Sequence, residues 1–345
     1  MSRPILLRAA LYVSIGFSLL FSDQAYSQEV LRRSNVEIEM GARTWISQGR
    51  TTWSHNASSV DPNFGNPTSR LEYKDVGTNV VELSGKAMFA KRWFVRGNFG
   101  FGAIGGGRLT DDDFLAADGG QPSLRTHSDI KGDDMWYLNG DVGVTVLNFA
   151  RNRGSLDLFM GFQYWREKHV ATGVTQVSCS TAGSTVDLDP TTPGLQPLCI
   201  QGAAPTNVGQ TVVTNEVEWS SIRLGLDGSY QITRRFSLNG SAAFIPLASL
   251  KNEDIHHLRA TGPGALRQDP SFSMSGTGIG ANFEVNASYM IVKQLFFDVG
   301  YRYWWLRVTD GEWKDHPVSG ASSTVNLNEF QTIRQGVTLG LRYQF

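Results

Sequence analysis

Two short stretches of this sequence carry pairs of residues whose types and spacing suit a hydrolytic site. In NEDIHH, Asp254 and His256 lie two residues apart, and in TDDDF, Asp111 and Asp113 have the same spacing. Residues two apart on an extended backbone project from the same face of the strand. An aspartate beside a histidine orients the imidazole as a general base for water, and a second acidic pair holds and polarises that water.

The first 27 residues have the pattern of a cleaved export signal. Arg3 precedes a mainly apolar run over 5–21, Arg8 lies near the start of that run, and Ala25 and Ser27 are small residues at the positions that a signal peptidase reads. A membrane-spanning helix is the alternative, but the run is short and no stop-transfer charges follow it. We therefore expect residues 1–27 to be a signal peptide and residues 28–345 to form the exported barrel described next.

The rest of the chain alternates apolar with polar or small residues. In GVTLGLRYQF, the odd-numbered positions from Val337 to Phe345 are all apolar or aromatic, and 295–304 and 156–164 repeat the pattern. A soluble β-sandwich also alternates, but it seldom ends strand after strand in Trp and Tyr. Such aromatic girdles are typical of outer-membrane barrels.

The alternation predicts an all-β, ten-stranded antiparallel transmembrane β-barrel. The strands are expected at 36–47, 70–90, 92–104, 135–148, 155–170, 215–231, 236–256, 276–292, 295–309 and 328–345. Short periplasmic turns join them at one end and long extracellular loops at the other, with both termini in the periplasm. Several strands exceed the roughly 9–11 residues that span a bilayer, so the barrel should project beyond it on the loop side.

A barrel of ten strands has an interior that side chains largely fill. Inward-facing polar residues are expected to form this plug, namely Arg96, Asn98, Asp141, Asp157, Arg302 and Arg342. A wide aqueous pore of the general porin type is therefore not expected.

Composition narrows the remaining functions. The formal net charge of −1 does not indicate a basic surface that would bind nucleic acid. Cys179 and Cys199 lie 20 residues apart in an exported chain, which favours a loop-closing disulfide over a metal or redox role. His55, His127, His169 and His316 lie in or beside different loops, so no metal site is expected unless those loops converge.

Over almost the whole exported chain, the order of motifs resembles the omptin family of outer-membrane endopeptidases. The stretches that carry the resemblance are VEIEMGARTW, ELSGKAMFAKRW, TDDDF, NRGSLDLFMGFQYWREKHVATG, IRLGLDGSYQITRRFSLNG, NEDIHH, VNASYMIV and VTLGLRYQF. The resemblance implies a ten-stranded barrel in the bacterial outer membrane, with a peptide-cleaving groove that faces the cell exterior.

Carried onto this sequence, the resemblance assigns the two acidic water-binding residues to Asp111 and Asp113. It assigns the Asp–His dyad to Asp254 and His256. It implies an aspartic-type endopeptidase that needs no cofactor, with lipopolysaccharide as a candidate activator bound at Arg166. The expected partners are a peptide or protein substrate and the lipid of the outer membrane. The expected assembly is a monomer.

The resemblance fails at two positions expected to bind a basic substrate side chain. Asn252 stands where the family has an acid, and Gly49 or a neighbour stands where it has another. Strict alternation also turns both the Asp111–Asp113 pair and the Asp254–His256 dyad outward, so bulges are expected near Pro246 and within 105–107. The alternative function is therefore a non-enzymatic barrel of the same ancestry that binds a surface ligand or lipopolysaccharide.

Overall fold

A computed structural model describes residues 36–180, 185–186, 196–197, 199–262 and 264–345. The expected signal peptide, residues 1–27, lies outside the described residues. The strands are β1 (Val36–Asn56), β2 (Phe64–Phe89), β3 (Trp93–Leu115), β4 (Leu124–Ile130), β5 (Asp134–Phe149), β6 (Gly154–Cys179), β7 (Thr185–Val186), β8 (Gln196–Pro197), β9 (Thr206–Gln231), β10 (Phe236–His256), β11 (Phe272–Val292), β12 (Leu295–Asp315) and β13 (Thr324–Gln344). Two 3-10 turns, Ala116–Asp118 and His257–Arg259, follow β3 and β10. Within the described ranges, no helix is long and apolar enough to cross a membrane.

Ten long strands close into an antiparallel barrel. The ring runs β1, β2, β3, β5, β6, β9, β10, β11, β12 and β13, and β13 pairs back with β1. The short β4 prolongs β5, since both strands lie between β3 and β6. The predicted all-β, ten-stranded fold is confirmed.

The barrel has two unlike ends, here called the turn end and the loop end. The turn end carries the short connections 90–92, 150–153, 232–235 and 293–294. The start of β1 and the end of β13 lie at the same end, where Glu39 is opposite Gln344. The loop end carries the connections that follow β1, β3, β6, β10 and β12. This arrangement agrees with the predicted alternation of short turns and longer loops.

The strands extend further toward the loop end than predicted. β1 continues to Asn56 and β3 to Leu115, whereas the expected ends were residues 47 and 104. Asp111 and Asp113 therefore lie inside a strand and not at the start of a loop. Above the lipid-facing belt the outer wall can be polar, so the alternation of apolar and polar residues fades while the backbone pairing continues.

An apolar belt surrounds the turn-end half of the barrel. Every strand of the ring contributes at least one large apolar side chain that is exposed on the outer wall, for example Met40, Val81, Phe101, Val142, Met160, Leu224, Phe244, Val285, Val299 and Leu341. A ring of exposed apolar side chains around a closed barrel is the surface that a lipid bilayer covers.

At the level of this belt, four charged residues fill the centre of the barrel. Arg302 contacts Glu82 and Glu284, each at 2.7 Å, and Arg43 contacts the same two carboxylates. The four residues, from β1, β2, β11 and β12, are called the ionic ring below. Because each charge touches two of opposite sign, the ring links strands that are not neighbours in the wall.

The other predicted plug residues also make contacts inside the barrel. Arg96 bridges Asp141 and Asp227 at 2.8 and 2.6 Å. Asn98 donates to Glu82, Lys86 lies 3.5 Å from Asp157, and Arg342 contacts Glu39 and Asp298. A cavity of about 450 Å³ opens among these polar groups and has none of the four candidate site residues in its lining.

An aromatic layer covers the ionic ring on the loop side. The Trp304 ring lies 5.0 Å from Trp45, 5.4 Å from Trp165 and 4.8 Å from Tyr137, all in edge-to-face arrangements. The Arg302 guanidinium stacks 5.0 Å from the Trp45 ring centre. This layer separates the polar plug from the site described below.

Cys179 at the end of β6 is disulfide-bonded to Cys199, as predicted. Their separation of 20 residues in the chain predicts, from loop-closure entropy, that the bond stabilises the fold by about 3 kcal/mol. We expect the double variant Cys179→Ser, Cys199→Ser to unfold at lower urea concentration in lipid vesicles. An unchanged free energy of unfolding would show that the unfolded chain is already restricted in this segment.

Candidate hydrolytic site at the loop end

A change of phase in β10 turns the NEDIHH stretch toward the barrel interior. Below it, Ile245 points inward and is fully buried, while Leu247, two residues on, is 53% exposed. The pairing with β11 skips from Ile245 to Ala248, which marks a bulge at Pro246. From Ala248 onward the even-numbered residues point inward, Asp254 included. The bulge expected at this proline is therefore present.

A second change of phase occurs in β3. Ile104 is buried in the interior, and after the glycine run 105–107 the next buried interior residue is Leu109. The pairing with β2 is irregular at the same point. Asp111 and Asp113, two and four residues after Leu109, share its inward face. Glycine accommodates such a bulge without a side chain to clash, so the expected position is correct.

The Asp–His dyad lies at the top of β10, beyond the lipid-facing belt. Asp254 is seven residues past Leu247, roughly 20 Å along the strand. Nε2 of His256 lies 3.6 Å from Oδ2 of Asp254, which is fully buried. This contact is longer than a hydrogen bond. In unliganded sites such contacts are often long and shorten when substrate binds.

The loop after β10 fixes the dyad. The backbone N–H of His256 donates to the Ser271 hydroxyl at 3.0 Å, and the backbone N–H of Ser271 donates to the Asp254 carbonyl at 2.9 Å. The His256 imidazole packs edge-on against Phe272, with ring centres 4.9 Å apart. These contacts hold the imidazole at the rim of the barrel, where its side chain is 17% exposed.

Asp111 and Asp113 on β3 interact electrostatically with the Asp254–His256 dyad on β10. Burial raises the pKa of Asp111 well above its usual range, and the negative charges of Asp113 and Asp254 raise it further. Burial also raises the pKa of Asp113, while the Ser69 hydroxyl and the charge of His256 oppose that rise. The four residues predicted from two distant stretches therefore share one electrostatic environment.

The middle residue of TDDDF has a different environment. Asp112 accepts two hydrogen bonds from Arg125 of β4, at 2.6 and 2.8 Å. Because alternate residues of a strand point to opposite faces, Asp112 lies on the outer wall between its two inward neighbours. The same stretch thus contains two candidate site acids that face inward and one acid on the outer wall that is covered by Arg125 and 5% exposed.

Three further buried residues lie beside the four predicted ones, and sequence reasoning missed them. Tyr73, His169 and Asn215 are fully buried in the interior. His169 lies within β6 and not in or beside a loop. In the sequence, Tyr73 in the stretch LEYK looks like an aromatic residue at the membrane interface. Only the irregular pairing of β2 with β3 shows that its side chain points into the barrel.

Arg166, the residue predicted to bind lipopolysaccharide, lies on the outer wall of β6. Its guanidinium contacts Glu216 and Asp134, each at 2.7 Å. These two carboxylates raise the pKa of Arg166 above its ordinary value, with the Glu216 hydrogen bond as the largest cause. A lipid phosphate would therefore compete with two acids for this side chain.

At both positions that depart from the omptin pattern, neighbouring groups already occupy the space expected for a basic substrate side chain. A Cβ added at Gly49 would lie 2.5 Å from Nη2 of Arg334, so an arginine occupies the space next to this glycine. Asn252 is buried and donates to the Glu216 carbonyl at 2.8 Å. A positive charge beside residue 49 is unsuited to a pocket for a basic side chain.

The described residues contain no group of three or more His, Cys, Asp or Glu side chains arranged to hold a metal ion. His55 stacks on Trp313, and His316 contacts the Ser273 hydroxyl at 2.8 Å, so these two histidines have local packing roles.

The closed ring of ten strands, its apolar belt and its polar interior define an outer-membrane β-barrel. The chain belongs to the family described as Pom, Protochlamydia outer membrane protein, whose model matches residues 47–345. No curated protein matches the chain.

Among solved structures, the chain is similar to the outer membrane protease OmpT from Escherichia coli, with a TM-score of 0.67 and 16% identity. The alignment covers 90% of this chain and 97% of that one, which shows a shared fold. The attachment invasion locus protein Ail of Yersinia pestis aligns with a TM-score of 0.29 and 9% identity, over 89% of this chain and 98% of that one. A FadL homologue of Pseudomonas aeruginosa also aligns at 0.29 and 9%, over 90% of each chain.

Proposed function

We propose that this protein is an omptin-like endopeptidase of the outer membrane, with its site at the loop end facing the cell exterior. One observation carries the proposal. Bulges in β3 and β10 direct Asp111, Asp113, Asp254 and His256 to the barrel interior, where the two pairs interact electrostatically, although alternation alone would direct all four outward. The protease that shares the fold supports the proposal by analogy.

The chemistry follows from the charge of each group. His256 takes a proton from water as the water oxygen bonds to the peptide carbonyl carbon, and Asp254 stabilises the imidazolium that forms. The raised pKa of Asp111 keeps a proton on one acid of the pair. That proton is available to the tetrahedral intermediate or the departing amine when the C–N bond breaks.

Substrate preference in this proposal differs from that of proteases which cleave at basic residues. Arg334 lies beside Gly49, and Asn252 replaces an acid next to the dyad. We expect cleavage sites without Lys or Arg at the position that these residues contact. Lipopolysaccharide enters the proposal as an activator bound to the outer wall near Arg166.

The test is cleavage of a peptide library by refolded protein, with and without lipopolysaccharide. We expect the wild type to cleave, and His256→Ala and Asp111→Ala each to lose activity by a factor on the order of 10² or more. Equal turnover by all three proteins would assign the activity to a contaminant or to another site.

A second candidate is a non-enzymatic barrel that binds a surface ligand. The observation that favours it is the complete burial of Asp254, together with its 3.6 Å contact to His256. A wild type that cleaves no peptide in the library, but still folds, would support this candidate.

A further inference from the structure

A row of buried polar residues forms the floor of the candidate site. Asn215 of β9 lies opposite His169 of β6 on one side and opposite Asp254 of β10 on the other. All three side chains are fully buried. The dyad aspartate therefore sits at the same level as a second histidine, two strands away.

Tyr73 of β2 reaches this row from the other wall. Its ring stacks on the His169 imidazole, with centres 5.0 Å apart and planes inclined by 26°. Tyr73 lies opposite Leu109 of β3. Leu109 is two residues before Asp111 and shares its inward face. The phenol thus lies between the acids of β3 and the row that ends in Asp254.

The stack has its own support below. Nε2 of His169 lies 3.2 Å from Oε2 of Glu167. Glu167 also accepts hydrogen bonds from Nε of Arg334 and, at 3.0 Å, from the Trp165 indole. The Glu167 carboxylate, held by these two donors, contacts the imidazole from below, and the imidazole supports the tyrosine ring.

The environment of Tyr73 makes its hydroxyl a donor. Burial raises the pKa of Tyr73 well above its ordinary value, and the negative charge of Asp254 raises it further. The phenol is therefore harder to deprotonate than a free tyrosine, and its hydroxyl is available as a hydrogen-bond donor. Among the groups that the structure describes, neither the Tyr73 hydroxyl nor either carboxylate oxygen of Asp254 has a hydrogen-bond partner, and all three atoms are buried.

We infer that Tyr73 is a further residue of the hydrolytic site, whose hydroxyl donates a hydrogen bond to the attacking water between Asp111 and Asp254. His169 is a positioning residue that holds the ring. The water proton goes to His256, the water oxygen bonds to the carbonyl carbon, and Tyr73 keeps its own proton throughout. This inference rests on the proposed function.

The variant Tyr73→Phe tests the inference, because it keeps the ring and its stacking and removes only the hydroxyl. We expect kcat to fall on the order of 10- to 100-fold, with KM within about twofold of the wild type, since the water loses an orienting donor. The urea midpoint should not fall, because a buried hydroxyl without a partner is removed. The matched control is Tyr301→Phe on the outer wall, which should behave like the wild type.

Each outcome has one meaning. A wild type without activity overturns the proposed function together with the inference. An active wild type, an inactive Asp111→Asn variant and an unchanged kcat for Tyr73→Phe overturn the inference alone. A lower kcat accompanied by a lower urea midpoint assigns Tyr73 a structural role and also overturns it.

Discussion

Replacing Asp111 by asparagine should remove activity and stabilise the protein at the same time. The activity loss is expected to be on the order of 10² or more, because an amide neither holds a titratable proton nor polarises water as a carboxyl does. The stability gain follows from burial beside Asp113 and Asp254, which raises the pKa of Asp111 well above its usual range.

The sign of the stability effect depends on pH. A carboxyl whose pKa is raised in the folded state keeps its proton while the unfolded chain releases its own, so stability falls as pH rises above about 4. An asparagine at 111 does not titrate and avoids this loss. We therefore expect the urea midpoint of Asp111→Asn to exceed that of the wild type at pH 7 and to converge with it below about pH 4.

Asp112→Asn is the matched control, because it alters the adjacent residue on the opposite face of β3. Asp112 is paired with Arg125, whose side chain is 40% exposed, so the loss of this pair should cost at most about 1 kcal/mol. Activity should remain. If Asp111→Asn and Asp112→Asn change activity and stability alike, the inward placement of Asp111 is incorrect.

The variant Arg302→Ala is expected to cause the largest loss of stability. Arg302 is 1% exposed and contacts both acids of the ionic ring. Its removal leaves Glu82 and Glu284 to share Arg43, so one buried negative charge is not compensated. Breaking a buried pair in this way costs about 3–5 kcal/mol, measured as the free energy of unfolding in urea from lipid vesicles.

Two controls separate the charge from the packing. Arg307→Ala, at an exposed position of the same strand, should change the free energy of unfolding by less than about 0.5 kcal/mol. The double variant Arg302→Gln, Glu284→Gln removes one charge of each sign and leaves the Arg43–Glu82 pair. It should be more stable than Arg302→Gln alone. A double variant that is less stable than the single variant would contradict the proposed balance of charges.

Much of the architecture was predictable because the lipid-facing half of each strand follows one rule. Outward residues there meet hydrocarbon and inward residues meet a polar plug, so the alternation marks strands, turns and the inner positions of Arg96 and Arg302. Nearer the loop end the wall meets water outside and an aromatic core inside. The strand ends were consequently placed too early, by nine residues in β1 and eleven in β3.

The candidate site was predictable from motif order and not from the alternation. The spacing of Asp254 and His256 is a weak signal alone, and the strand phase contradicted it until the bulge at Pro246 was included. Tyr73 and His169 could not be predicted in this way. Their contact joins β2 and β6, which are separated by two other strands of the ring, and only the closed barrel brings them together.

The changes of phase in β3 and β10 have a consequence for how such a protein can diverge. In each of these two strands, one set of alternate residues faces inward below the bulge and the other set faces inward above it. Mutations that adapt the lower wall to a different lipid therefore leave the orientation of the rim residues untouched. The rim can in turn acquire new chemistry while the part of the barrel that inserts into the membrane stays the same.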